Sequence, residues 1–197
     1  MKLTREFYLQ SGLVVARALI GKQLVHRTPE GTTKGLIVEA EAYMGHTDAA
    51  AHSYRASSAG RTAIQYGPGG FAYVYTIYGL HSCMNVVANG ENCPEAVLLR
   101  ALQPTEGVEL MKQRRRQERC KILCNGPGKL CQAMGITKAH YGMDLCGDEL
   151  FLETVDGPAP EVAATKRINI DYAGEAKDYL WRFVWRGNGF VSVAPRE

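Results

Sequence analysis

What most limits the fold of this chain is the distribution of its strand-like segments, which outnumber the helical ones and do not alternate with them. Lys22–Thr28 and Lys34–Ala42 flank Pro29-Glu30-Gly31-Thr32 and read as a hairpin. Phe71–Ile77 and Cys83–Ala88 are joined by a short turn at Tyr78–Ser82, and Ala96–Leu102 follows, stopped by Pro104. Leu150–Thr154, Glu161–Ile170, Trp181–Trp185 and Phe190–Ala194 supply further strand-like pieces. Three helices are expected. Ser11 caps one over Gly12–Ile20, with Gly21 as its stop; Thr105 caps one over Glu106–Arg116; Gly126-Pro127 opens a short one that Gly135 closes. Such an order does not suit a doubly wound parallel sheet. It implies an α+β fold: a mixed, mostly antiparallel sheet with flanking helices. The 197 residues contain no repeat, low-complexity stretch or clear linker, so one domain over residues 1–197 is expected.

Composition narrows the class. Hydrophobic residues make up 46% and charged residues 22%, which is globular and excludes a disordered or fibrous chain. The net charge of +3 excludes a histone-like polycation, but charge is unevenly placed. Lys112–Lys121 holds six basic residues and one acidic, a local +5 that leaves −2 for the rest. A run like this at a helix end complements the helix dipole, or it meets phosphates. Six cysteines could suggest disulfides, but the opening Met-Lys-Leu-Thr-Arg-Glu-Phe puts charges where a signal peptide needs its apolar stretch. No apolar run approaches membrane-spanning length, so a reducing cytosol with free thiols is expected. Cys120, Cys124, Cys131, His140 and Cys146 could be imagined as zinc ligands, though no Cys-x2-Cys pair is present.

Two strands carry chemistry. In Leu36–Tyr43, alternation sends Leu36, Val38, Ala40 and Ala42 to one face and Glu39, Glu41 and Tyr43 to the other. The polar face is either solvated or, with His52 a short distance on, an acid/base site. In Phe71–Ile77, one face collects Phe71, Tyr73, Tyr75 and Ile77. An aromatic stripe is more often core than binding platform, but tyrosine hydroxyls need partners and ring faces stack on flat ligands. Tyr78 then sits at the hairpin turn, better placed to wedge into something than to stabilise the sheet, and Asn85 lies on the return strand. The polar, Gly-rich and Ser-rich stretch Ala49–Gly70 contains Arg55 and Arg61 and reads as a long irregular loop. Asn125-Gly126-Pro127-Gly128-Lys129 leads small residues and a lysine into a helix N-terminus, a pattern that suits a phosphate or simply caps a turn.

Taken in order, Val38-Glu-Ala-Glu-Ala-Tyr43, His52, Tyr73-Val-Tyr-Thr-Ile-Tyr-Gly-Leu80, Met84-Asn85, Leu98-Leu-Arg-Ala-Leu-Gln-Pro104 and Asn125-Gly-Pro-Gly-Lys-Leu-Cys131 resemble the alkyladenine (3-methylpurine) DNA glycosylase family. The likeness runs from about Phe7 to Val193. It implies a compact fold with a curved sheet and a protruding β-hairpin that enters the DNA minor groove. It also implies excision of alkylated or deaminated purines of the 3-methyladenine, 7-methylguanine, hypoxanthine and ethenoadenine class, with no metal, no cofactor and no lyase step. By position, Glu41 matches the general base, and Arg100 the arginine that helps to hold the attacking water with a main-chain carbonyl near Ile170. Tyr43, His52 and Tyr75 match the residues that sandwich the flipped base, Asn85 the one that crowds the amino group of normal guanine, and Tyr78 the intercalating hairpin residue. Arg55, Arg61 and Lys129 are candidates for the DNA backbone. Two departures stand out: Leu80 where some relatives have Met, and Arg167-Ile-Asn-Ile-Asp171 where relatives are Gly-rich, so that Asn169 or Asp171 would narrow the pocket. The implied partner is double-stranded DNA carrying damaged purines, met by a monomer in a bacterial-type cytoplasm at the nucleoid, with no membrane and no obligatory protein partner. A non-catalytic lesion- or RNA-binding module using the same hairpin is the competing reading.

Overall fold

A computed structural model describes residues 1–77 and 79–195. Its strands are β1 (Gln23–Thr28), β2 (Gly31–Tyr43), β3 (Ala72–Ile77), β4 (His81–Ala88), β5 (Glu95–Glu106), β6 (Leu150–Glu153), β7 (Val162–Thr165) and β8 (Arg182–Trp185). They form one sheet in the order β3-β4-β5-β2-β1-β6, with β8 pairing both β2 and β7. Every strand pair among the described residues is antiparallel. The helices are α1 (Arg5–Tyr8), α2 (Gly12–Leu19), α3 (Val108–Arg115) and α4 (Pro127–Met134). None is long and apolar enough to cross a membrane.

The core lies between the sheet and helices α2 and α4. Val15, Ala16 and Leu19 of α2 and Leu130, Cys131, Ala133 and Met134 of α4 meet Ile37, Ala40, Met84, Leu99 and Leu102 in one buried cluster. Helix α4 begins and ends as expected, with Pro127 in its first turn and Gly135 in the left-handed region at φ 73°. The remaining helix ends differ. Ser11 stands at the N-terminus of α2 without capping it; the Gly12 N–H donates instead to Glu95 Oε2 at 2.6 Å. Thr105 caps nothing, because β5 runs through Pro104 to Glu106 and α3 starts only at Val108. Pro104 fits inside the strand because the pairing with β2 slips between Lys34 and Gly35, leaving Thr105 without a partner there. Gly107 then turns the chain at φ 72°, where a Cβ would fall 2.3 Å from the Thr32 carbonyl oxygen.

The late strand-like pieces shrink. Only Val162–Thr165 of the expected Glu161–Ile170 strand pairs, and Phe190–Ala194 forms no strand. The segment Ala49–Gly70 is not wholly irregular, since Gly60–Tyr66 winds as a 3-10 helix.

The alternation expected along β2 breaks at one place. Ile37 pairs with Leu102, Glu39 with Ala101 and Ala40 with Leu99, so the ladder skips Val38 on β2 and Arg100 on β5. This paired bulge carries the core face from Ile37 to Ala40 and Ala42, leaving Leu36 half-buried and Val38 outside the main cluster. It also takes Arg100 out of the ladder. Because β5 and β8 flank β2 on both sides here, Glu39 and Glu41 are buried, not solvated.

Candidate active site

The geometry of the site starts from Glu41, whose side chain is 0% exposed. Its Oε1 accepts the Ile168 N–H at 2.8 Å. Its Oε2 accepts the Tyr43 hydroxyl at 2.9 Å and Arg100 Nη1 at 3.3 Å. Arg100 reaches back through Nε to Glu39 Oε1 at 2.9 Å. Burial pushes the Glu41 carboxyl above its usual range, against the pull of Arg100, the Ile168 N–H and the Tyr43 hydroxyl. Burial also opposes the charge on Arg100, but Glu41 and Glu39 outweigh it, so the guanidinium is held firmly protonated. A carboxylate raised toward neutrality by burial, against the pull of a fixed cation, suits a group that must take up a proton.

The donors to Glu41 form part of the wall of a cavity of about 280 Å³. Tyr43, Arg100 and Ile168 line it together with His52, Tyr73, Tyr75, Asn85 and Tyr172. Strands β3 and β4 supply its aromatic side: Tyr73 pairs with Asn85 and Tyr75 with Cys83. The Tyr73 and Tyr75 rings are 5.4 Å apart, and His52 packs edge-on to Tyr75 at 4.6 Å. His52 Nδ1 meets the Tyr73 hydroxyl at 2.8 Å. Burial, helped by the Arg61 charge, lowers His52 to about 4, so the imidazole is neutral at physiological pH. The same burial raises Tyr73 to about 12 and Tyr75 higher still. The Asn85 side-chain amide donates to the Tyr73 carbonyl at 3.2 Å, which fixes its orientation at the cavity wall.

The structure therefore gathers Glu41, Arg100, Tyr43, His52, Tyr75 and Asn85 around one cavity. Tyr78 lies outside the described residues; beyond it, Leu80 is 85% exposed. Arg55 and Arg61 are exposed on the loop that also carries His52, and Lys129 is exposed two residues beyond Pro127, a cavity residue. Lys129 Nζ donates to Asn125 Oδ1 at 2.9 Å. Of the two side chains expected to narrow the pocket, Asn169 lines the cavity, with its backbone left-handed at φ 61°, whereas Asp171 does not. Half of the basic run is committed to the protein. Lys112 pairs with Glu109 and Glu118, Arg114 with Glu30, and Arg115 donates to the Leu123 carbonyl and to Gln132. Among the described residues, the cysteines that could be imagined as zinc ligands do not assemble with His140 into a metal-holding group.

Sequence reading missed the clamp that holds Ile168 in place. Arg167 forms a two-pronged ion pair with Asp48, at 2.5 Å and 2.8 Å, and donates to the Ala42 and Ala176 carbonyls. Its guanidinium sits 4.8 Å from the Tyr43 ring centre and 5.0 Å from that of Trp181. Asp48 also accepts the Met44 and Ala50 N–H groups. Nothing in the local pattern links positions 119 residues apart. Tyr73 had a visible signal, its place two residues before Tyr75 on the same strand face.

A fixed cation thus bridges two buried carboxylates beside an aromatic cavity on the sheet. The profile of the Methylpurine-DNA glycosylase (MPG) family matches residues 6–189. A protein of Clostridium acetobutylicum is 50% identical over the whole of both chains. One from Desulfitobacterium hafniense is 46% identical over 98% of each, and one from Bacillus cytotoxicus 44% identical over 98% of this chain and all of its own. Each bears the name "Putative 3-methyladenine DNA glycosylase". This chain belongs to the methylpurine-DNA glycosylase family, enzymes of DNA base-excision repair that hydrolyse N-glycosyl bonds.

Proposed function

We propose that the protein is a monofunctional 3-methyladenine DNA glycosylase that extrudes a damaged purine nucleotide from duplex DNA and removes the base by hydrolysis. Its range would extend to 7-methylguanine, hypoxanthine and ethenoadenine. The observation that carries this reading is the hydrogen-bonded set of Glu41, Arg100, Tyr43 and the Ile168 N–H against an aromatic cavity. Extrusion costs a few kcal/mol, and each base–aromatic contact returns about 1–3 kcal/mol. Stacking against Tyr43, Tyr75 and the neutral His52 offsets that cost. Tyr78 fills the gap left in the duplex, and Asn85 disfavours normal guanine through its exocyclic amino group.

In the chemical step the bond from the sugar C1′ to the purine nitrogen breaks, and its electron pair leaves with the base. A water oxygen bonds to C1′ and gives a proton to Glu41. Glu41 Oε1 holds a single donor, so it retains a lone pair for that water. Arg100 and a main-chain carbonyl near Ile170 position the water. A cationic alkylpurine departs as a neutral base, so no leaving-group acid is required; a neutral lesion such as hypoxanthine or ethenoadenine would also need a proton delivered to its leaving base. Arg55, Arg61 and Lys129 would contact phosphates, and the protein would act as a monomer at the nucleoid.

Single-turnover excision from duplexes carrying each of the four lesions tests the proposal. Wild type is expected to release 3-methyladenine, and Glu41→Gln to lose that activity. Tight lesion binding without base release would instead identify a recognition module, and full activity in Glu41→Gln would remove Glu41 from its role.

A further inference from the structure

Outside the cavity, three side chains with metal-ligating atoms converge. His26 is buried on β1 opposite Leu150, His140 is buried in the 3-10 turn Lys138–His140, and Glu149 is exposed just before β6. Their ligand atoms all lie within 4.8 Å of one another. None of the three lines the cavity, and base excision makes no use of them. We infer that His26, His140 and Glu149 form a binding site for a divalent transition-metal ion of the zinc class, held by two imidazole Nε2 atoms and one carboxylate oxygen with water in the fourth position.

Spacing is the first support. Two nitrogens bound at 2.0–2.1 Å to a tetrahedral zinc stand about 3.3 Å apart. The two Nε2 atoms are 3.2 Å apart, on rings set nearly perpendicular at 85°. Glu149 Oε1 is 4.0 Å from one and 3.9 Å from the other, so an exposed side chain needs to move by less than an ångström.

Proton placement is the second. His26 Nδ1 is 2.7 Å from the Met134 carbonyl, which can only accept. The ring proton is therefore on Nδ1 and the Nε2 lone pair faces inward, the form that a ligand requires. His140 Nδ1 has a choice, with the Thr137 N–H at 3.0 Å and the Thr137 carbonyl at 3.1 Å. Without metal, His140 carries its proton on Nε2 and donates it to His26; with metal, the proton moves to Nδ1 and the Thr137 carbonyl accepts it. The exposed carboxylate supplies both negative charge and an entry path.

Metal at this position would tie β1 to the turn at His140. The next residue, Tyr141, packs edge-on against the cavity residue Tyr73 at 6.2 Å and accepts the Ile64 N–H at 3.2 Å. The bound ion would thus stiffen the support behind the aromatic wall.

The test uses the full chain freed of metal with a chelator. Calorimetric titration with Zn²⁺ is expected to give one site per chain and a rise in melting temperature. Co²⁺ is expected to give a spectrum without thiolate charge transfer. His26→Gln and Glu149→Gln are each expected to weaken binding at least tenfold, and Glu149→Gln, on the surface, does so without threatening the fold. Failure of wild type to bind Zn²⁺, unchanged affinity in both variants, or a thiolate band with Co²⁺ would each overturn the assignment, whether or not the protein excises bases.

Discussion

Glu39 and Glu41 stand two residues apart on one strand, both fully buried and both bonded to Arg100. Their surroundings separate them. Glu39 is closed in: Oε1 accepts Arg100 and Arg182, and Oε2 accepts the Ser192 N–H at 2.7 Å. Glu41 has only Arg100, which it shares with Glu39, and its remaining donors, Tyr43 and Ile168, belong to the cavity wall. Two guanidinium groups neutralise a carboxylate and make it a structural anchor. One shared guanidinium, with burial working against the charge, leaves a carboxylate able to accept a proton. The residue type does not decide the role; the number of cations and the nearness of the cavity do.

That contrast can be broken from either side. Glu41→Gln is expected to slow excision by about 10²–10⁴-fold, the usual size of a general-base contribution, with the melting temperature kept or raised. Glu39→Gln is expected to do the reverse, costing about 3–5 kcal/mol in urea unfolding by stranding Arg100 and Arg182, with a far smaller loss of rate in the protein that stays folded. If the two variants behave alike, the division of roles fails.

Asp48→Asn sharpens the contrast from a distance. It weakens the hold on Arg167, and through it the Ile168 N–H that reaches only Glu41. A stability loss of about 3 kcal/mol is expected, as for other broken buried pairs. Glu41 also loses a donor that favours its charged form, so the acid limb of the pH–rate profile should move to higher pH. A purely structural Asp48 would lower stability and leave that limb in place.

The pH dependence of stability divides the site further. His52 falls to about 4 on folding, so the unfolded chain binds more protons between that value and the ordinary 6.5. Stability from His52 is complete above 6.5 and lost as pH falls to 4. Glu41, raised by burial, has the opposite slope: its contribution declines as pH rises from 4.5. Thermal melts across this range should show the His52 slope disappear in His52→Asn. The smallest effect belongs to Asn169→Gly, which relaxes a left-handed backbone position and should change stability by less than about 1 kcal/mol. Removing a side chain from the cavity wall should raise ethenoadenine excision relative to 3-methyladenine, read in the same single-turnover assay.

Much of this was legible in the sequence because it is local. Alternation put Tyr73 beside Tyr75 and Glu39 beside Glu41, and the glycine and proline signals located α4. What escaped depends on non-local register. The paired bulge at Val38 and Arg100 follows from two strands about 60 residues apart fitting side by side, as the Arg100–Glu39 bond shows at a separation of 61. Burial of both glutamates required β8, which arrives from the end of the chain. The expected helix start at Thr105 gave way to strand pairing that continued past a proline, a tertiary override of a local signal. The basic run drew attention by its charge, and half of it proved occupied with intramolecular partners.

The Ile168 bond to Glu41 spans 127 residues, and the Ser192 bond to Glu39 spans 153. During synthesis, Glu39, Glu41 and Arg100 leave the ribosome long before the segments that orient the two carboxylates, so a nascent or truncated chain holds all three groups without a finished site. On the proposed function, competence would wait until the segments carrying Ile168 and Ser192 have docked, so activity would report completion of the chain's folding.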